Sequence, residues 1–172
     1  MPLYAMGEHE PKIDPSAFIH PDAVIIGNVT VGPESSIWPA AVLRGDRGAI
    51  VIGAQTSIQD GSVVHCTTEL DTIVGDRCVV GHRVHMEGCR VDDDCLIGSG
   101  SVILHRAVVR SGALVGAQAL VTNDTEVPEL AMALGVPAKI YPDRVAPGAH
   151  QAAMQVYVDN AHWYNRELRR LD

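Results

Sequence analysis

Aromatic rings and lysines are what this 172-residue chain has least of: Phe18, two Trp and four Tyr, with Lys12 and Lys139 as its only lysines. Between Trp38 and Tyr141 there is no Phe, Tyr or Trp. Ordinary cores draw much of their burial from such rings, so this long central stretch is not packed that way. Long apolar runs are missing too. Nothing approaches the roughly 18 consecutive apolar residues of a membrane span. Residues 1–20 lack the basic start and apolar block of a secretion signal, so a cytoplasmic address is expected. Four cysteines in that compartment read as thiols rather than disulfides. With 13 basic against 21 acidic side chains, a net charge of −8 argues against nucleic acid or an anionic membrane as partner.

What the chain does have is Val and Ile, together about a fifth of it, and 16 glycines. These fall into a short period. Small-x-aliphatic triplets run from Val24-x-Ile26 and Val29-x-Val31 through Ser35-x-Ile37, Ala41-x-Leu43, Thr56-x-Ile58, Ser62-x-Val64, Val84-x-Met86 and Cys95-x-Ile97 to Ala119-x-Val121. Weaker rungs at Ile13 and Ile19 begin the series. Most steps are six residues, 26 to 31 and 86 to 91 are five, and two longer steps imply loops near Asp46 and Glu69. A six-residue step holds two inward positions and a turn eased by Gly or a small residue. Three rungs close a triangular coil, and coils stack about 4.8 Å apart. The narrow interior admits Val, Ile, Leu and small residues but no rings, and Cys78, Cys89 and Cys95 fall on its small positions as space-filling thiols.

The spacing therefore predicts an all-β parallel β-helix over residues 1–127, with rungs from about 13 to 121. An irregular crossing follows over 128–146, and then a C-terminal α-helix over 147–172. In that tail Ala153, Val156, Tyr157, Asn160, Ala161, Tyr164, Leu168 and Leu171 recur at helical spacing. The late aromatics are expected to pack the helix on the outside of the prism.

With three rungs per turn, rungs three apart share a face. Leu43, Val64 and Met86 are then stacked, and the residues after them, Arg44, His65 and Glu87, form one outward column. Pro39, Asp60 and His82 form another. Zinc takes three His or carboxylate ligands around an open position. His65 and Glu87 can share an ion, but His82 of the same chain is a strand's length away, on the order of 15 Å. A second copy would have to bring its His82 to the first copy's His65, and Arg44 would then meet the second copy's Asp60. A three-faced prism packs naturally as a cyclic trimer. His85, the middle of its triplet, points outward, and His105 follows on the next turn. Either could assist or replace Glu87.

At these residues the chain closely resembles the γ-class carbonic anhydrase-like hexapeptide proteins, a left-handed parallel β-helix family of homotrimers. The likeness rests on Arg44-Gly45-Asp46, on Gln59-Asp60-Gly61-Ser62-Val63-Val64-His65, on Val80-Gly81-His82 and on Gly88-Cys89. A further element, Gly135-Val136-Pro137-Ala138-Lys139, is shared with hexapeptide acyltransferases. The resemblance implies a divalent metal between subunits, zinc first and iron or cobalt as alternatives, and reversible hydration of CO2 to bicarbonate. Two of the family's three histidine ligands fall on His65 and His82, and the third position is Glu87. The family's subunit-pair arginine and aspartate map to Arg44 and Asp60, and the glutamine that orients the reacting water maps to Gln59. The acidic loop of the most active members has only Glu69 as a counterpart. A carboxylate in place of an imidazole removes positive charge from the site, so weakened hydration is expected. Two other readings stay open: a non-catalytic trimeric scaffold, and an acyl-CoA-dependent acyltransferase or thioesterase with His85 or His105 as general base.

Overall fold

A computed structural model describes residues 2–172. Short strands stack in register into a parallel β-helix with three faces. One face carries Ile25, Leu43, Val64, Met86, Ile103 and Val121 in successive coils. A second carries Val31, Ile52, Val74, Val91, Val109 and Val127, and the third Ile19, Ile37, Ile58, Val80, Ile97, Val115 and Ala133. The strands Val24–Val31 and Val42–Ile52 run through the corner between the first two faces and join them into one 12-stranded sheet. The third face is a separate 8-stranded sheet.

These inward side chains, all but the half-buried Ile19 at the start of the third face, are almost wholly buried, as are all four cysteines, which are free thiols. Three buried hydroxyls are met by carbonyls of the next coil: Ser35 donates to Gly53 O at 2.6 Å, Thr56 to Gly75 O at 2.7 Å and Ser62 to Gly81 O at 2.9 Å. Each such bond satisfies a group that would otherwise be costly inside the prism. At the corner after the third face, Ala40, Gly61, Arg83, Gly100 and Gln118 repeat the same left-handed turn with φ between 57° and 70° in all but Arg83, at 55°. Backbone bonds such as Gly61 N to Pro39 O (3.0 Å) and Arg83 N to Asp60 O (2.9 Å) tie these turns together, so non-glycine residues hold a conformation they rarely adopt alone.

Several expectations change. The first inward pair is Ala23 and Ile25, not Val24 and Ile26, which makes the step to Val31 six residues rather than five. No loop opens at Asp46. Instead the strand Val42–Ile52 is continuous, and residues 46–49 bulge where the coil below has only Asn28. The repeat also continues beyond Val121, with Val127, Ala131 and Ala133 buried in further rungs. Within the expected crossing, Lys139–Tyr141 turns back antiparallel on Met132–Leu134.

The α-helix spans Gln151–Glu167 and lies on the third face. Phe18, Trp38, Tyr157, Ala161 and Tyr164 cluster there, and the Trp38 indole donates to Ser36 Oγ (3.0 Å) and Ser57 Oγ (2.9 Å). The rings excluded from the prism thus fasten the helix to its outside. Trp163 stands edge-on to the Tyr164 ring at 5.3 Å but remains exposed, as do Tyr141, Val156, Leu168 and Leu171, while Met154 and Val158 are buried against Val79. Among the described residues, no helix is long and apolar enough to cross a membrane.

The helix begins at His150, which is buried at the cap position. Burial pushes its imidazole below the usual histidine value, against the opposing pull of the Gly112 carbonyl and the Asp94 charge. The unfolded chain then binds a proton more readily than the folded one, so stability falls as pH drops through the ordinary histidine value of 6.5. Thermal unfolding followed at pH 7.5 and pH 5.5 should show a lower Tm at the acid end, with a smaller difference in His150→Gln. An equal pH dependence in the two proteins would show that His150 is not the group responsible.

Candidate metal and acid–base site

The site residues lie at corners, where the coil length varies. At the edge of the first face stand Arg44, His65 and Glu87, which are register partners in three successive coils. Beyond each of them the chain reaches the second face by a different path. After Arg44 comes the 46–49 bulge, after His65 the segment 66–71, and after Glu87 only Gly88 and Cys89. The two longer paths are tied together by Ala49 N donating to Asp71 Oδ1 at 2.7 Å and Gly48 N to Cys66 Sγ at 3.3 Å. The short path needs Gly88, at φ 59°, because a Cβ there would lie 2.9 Å from Leu70 Cβ and 3.1 Å from His105 Cδ2.

His65 is held between two carboxylates. Its Nδ1 is 2.8 Å from Glu87 Oε1 and its Nε2 is 3.0 Å from Asp46 Oδ1. Asp46 also accepts from Arg44 Nη1. Glu87 has a second oxygen, Oε2, which faces His85 Nε2 at 3.7 Å and His105 Nε2 at 3.6 Å. Burial pushes the Glu87 carboxyl up, but the His65 hydrogen bond and the charges of His65, His105 and His85 outweigh it and leave it below the usual carboxylate range. Asp46 is lowered too: burial raises it, and its bonds to His65 and Arg44 more than compensate. Both groups are therefore poised as anionic acceptors.

A second half-site occupies the corner after the third face. His82 Nδ1 lies 3.0 Å from Asp60 Oδ2, one coil apart along the column that also holds Pro39. Their side chains are 52% and 48% exposed, and that of Arg44 is 45% exposed, so all three are free to reach outside the chain. Gln59 is buried, with the Tyr157 side chain of the C-terminal helix close by. Burial raises the Tyr157 phenol above its ordinary value. Glu69 is exposed in the segment 66–71. His85 points outward from its strand, as its place in the triplet predicts.

Both columns read from the repeat are thus present, and the chain brings together His65, Glu87, His85 and His105 at one corner and Asp60 and His82 at another. Among the described residues, no three His, Cys, Asp or Glu side chains of the single chain surround one point as metal ligands. The donors themselves suit a divalent ion of the zinc type, since imidazole and carboxylate are its ordinary nitrogen and oxygen ligands. Sequence spacing alone does not mark Asp46 as a ligand or acid–base group. The signal was in its Arg-Gly-Asp setting and the long step that follows it, which gives the strand length enough to swing a carboxylate over His65.

No protein-family profile matches the sequence. Carnitine operon protein CaiE of Escherichia coli K12 is 36% identical over 163 residues, covering 95% of this chain and 77% of that protein. The mitochondrial gamma carbonic anhydrase 2 of Arabidopsis thaliana is 39% identical over 138 residues, covering 77% of this chain and half (50%) of that protein. Among solved structures, a hexapeptide transferase family protein from Anaplasma phagocytophilum superimposes with a TM-score of 0.90 at 32% identity, covering 95% of this chain and 98% of that one.

Proposed function

Because the chain belongs to the γ-class carbonic anhydrase-like family of hexapeptide-repeat proteins, we propose that it binds a divalent metal, zinc first, between the subunits of a homotrimer, and that it hydrates CO2 reversibly but weakly. The observation that carries the reading is the division of donors into two half-sites on neighbouring coils, His65 with Glu87 at one corner and exposed His82 with Asp60 at another. Neither suffices alone. A second copy presenting its His82 to the first copy's His65 and Glu87 would give three protein ligands and an open position.

When bound, the ion supplies Lewis acidity and brings the ionisation of water toward neutral pH. The chain's own residues do the rest. Arg44, freed from Asp46, pairs with Asp60 of the neighbouring copy and fixes the register of the seam. Asp46, held on His65 Nε2, fixes the orientation of that ring, as carboxylates behind ligating histidines do. Gln59 would be the group that orients the attacking water, for which its amide would have to turn away from Tyr157, beside which it is buried in the single chain. Glu87, with its lowered pKa, brings a full negative charge to the ligand set and weakens the anhydrase chemistry. The substrate is the CO2 and bicarbonate pair, and the setting is the cytoplasm, in keeping with four buried free thiols.

Metal analysis tests this directly. Protein purified without chelator and offered zinc, cobalt or iron(II) should hold about one ion per subunit in a trimer, with three ligands drawn from two chains. A trimer that stays empty with all three metals would sink the reading. The likeness to a hexapeptide transferase family protein keeps acyl transfer as the second reading. Release of free thiol from acetyl-CoA would favour that alternative.

A further inference from the structure

The first-face column does not end at Arg44. Register carries it down through Ile26 to Tyr4, so Tyr4, Ile26, Arg44, His65 and Glu87 stand one above another. The corner after the third face has a column of matching depth. Ile19, Ile37, Ile58 and Val80 are register partners, and two residues beyond them lie Pro21, Pro39, Asp60 and His82. In one chain these columns flank the first face, a strand's length apart, on the order of 15 Å. Across the seam they face one another level by level. If His82 of one copy enters beside His65 and Glu87 of the next, and Asp60 beside Arg44, then Pro39 falls against Ile26 and Pro21 against Tyr4.

Both sides of that lowest level are built to receive something. Leu3, Tyr4 and Met6 are 41%, 54% and 47% exposed, three large apolar side chains that their own chain leaves uncovered. They stand on a firm support. Tyr4 pairs with Ile26, and the turn that follows is closed by Met6 N donating to His9 O at 2.9 Å and His9 N to Met6 O at 3.1 Å. A segment already held in place loses little freedom on docking. On the other side Pro21 lines an open cleft of about 340 Å³ with His20, Asp22, Leu168, Arg169 and Arg170. Its far wall is the C-terminal tail, which leaves the helix at Leu168 in extended conformation and puts that side chain in the open. The charges suit one another too: exposed Glu8 and Glu10 follow Tyr4, and Arg169 and Arg170 edge the cleft, Arg170 being held by Asp172 at 2.9 Å.

Resting on the seam reading, we propose that this cleft is a docking surface for the Leu3–Met6 segment of a second copy of the chain, its Tyr4 ring lodged against Pro21 and Leu168 and its Glu8 and Glu10 turned toward Arg169. The C-terminal tail then belongs to the interface between subunits. An aromatic ring in an apolar pocket is the kind of contact that carries most of an interface's energy, whereas the polar residues higher in the column set its register.

Crosslinking decides the point. In one chain, thiols placed by Tyr4→Cys and Pro21→Cys are too far apart to join. Mild copper–phenanthroline oxidation of the doubly substituted trimer should therefore give covalent dimers and trimers on a denaturing gel. Either single variant should stay monomeric there, because the four native thiols are buried. Tyr4→Ala, a change at an exposed site that leaves the fold intact by circular dichroism, should raise the concentration at which the trimer dissociates by about tenfold or more in analytical ultracentrifugation. A double-cysteine trimer that gives only monomer, or a Tyr4→Ala trimer as tight as the parent, overturns the docking while leaving the seam standing. A parent chain that is not a trimer overturns the seam reading, and the docking with it.

Discussion

Gly98→Ala should destabilise the protein by about 3 kcal/mol or more, whereas Gly116→Ala, at the same repeat position one coil later, should cost less than about 1 kcal/mol. Both residues follow an inward aliphatic, Ile97 and Val115, and neither has a positive φ, so backbone strain does not separate them. The neighbours do. A Cβ at Gly98 would lie 2.4 Å from Ala117 N, 2.7 Å from Gly116 C and 2.8 Å from Ala117 Cα. All three are backbone atoms of the next coil. That coil cannot back away, because Gly98 N donates to Val115 O at 2.7 Å and Gly116 N to Ala133 O at 2.8 Å. A Cβ at Gly116 would instead meet Leu134 Cδ2 at 2.5 Å, the end of a flexible side chain that is 36% exposed and able to rotate off. Losing glycine also reduces the freedom of the unfolded chain, which offsets part of the remaining cost. Urea or thermal unfolding of the two variants side by side decides the point. Equal losses would mean that the contact between coils is not what the glycines protect.

Glu87→His should raise CO2 hydration at neutral pH by about tenfold or more, the effect of shifting one ionisation by one pH unit. The substitution exchanges an anionic donor for a neutral one and lets water ionise at lower pH. It also removes the partner of His65 Nδ1, leaving that ring with Asp46 alone. The gain in rate should therefore come with some loss of stability. Stopped-flow hydration assays at equal metal occupancy separate the two effects. If the variant is loaded with metal and no faster than the parent, the carboxylate is not what limits the reaction.

Much of this was legible in the chain, for reasons the residues make plain. A repeat whose inward positions admit only narrow side chains writes its own register, which is why Leu43, Val64 and Met86 and the polar residues after them could be stacked from spacing alone. Val24-Ile25-Ile26 could not be read that way, since three adjacent aliphatic residues fit either phase. The buried Ala23 beneath them sets the choice. The step lengths revealed that residues were inserted near Asp46 and Glu69 but not whether they formed loop or strand. That depends on ties such as Ala49 N to Asp71, which join residues far apart in sequence. Spacing ends the repeat too early, at Val121, because Ala131 and Ala133 are small and Pro128 lies between rungs, so the pattern fades while the coil continues. His105 stayed ambiguous because a corner residue's direction is fixed by the lengths of neighbouring corners, not by its own triplet.

The antiparallel return of Lys139–Tyr141 on Met132–Leu134 bears on how such a molecule avoids becoming a fibre. A parallel coil offers at each end a row of unpaired amides and carbonyls with the spacing of the next coil, and another copy could continue the stack without limit. Here the final rung of the third face is met by a strand of reversed direction carrying Lys139. On the adjoining face, Leu120 is paired by Gly135 O and Ala138 N. At the opposite end Leu3–Tyr4 and Lys12–Ile13 pair in parallel register with the first full strand, so they extend the stack by two short pieces. Growth along the axis is blocked at the end carrying the reversed strand, which leaves the sides of the prism for the proposed trimer.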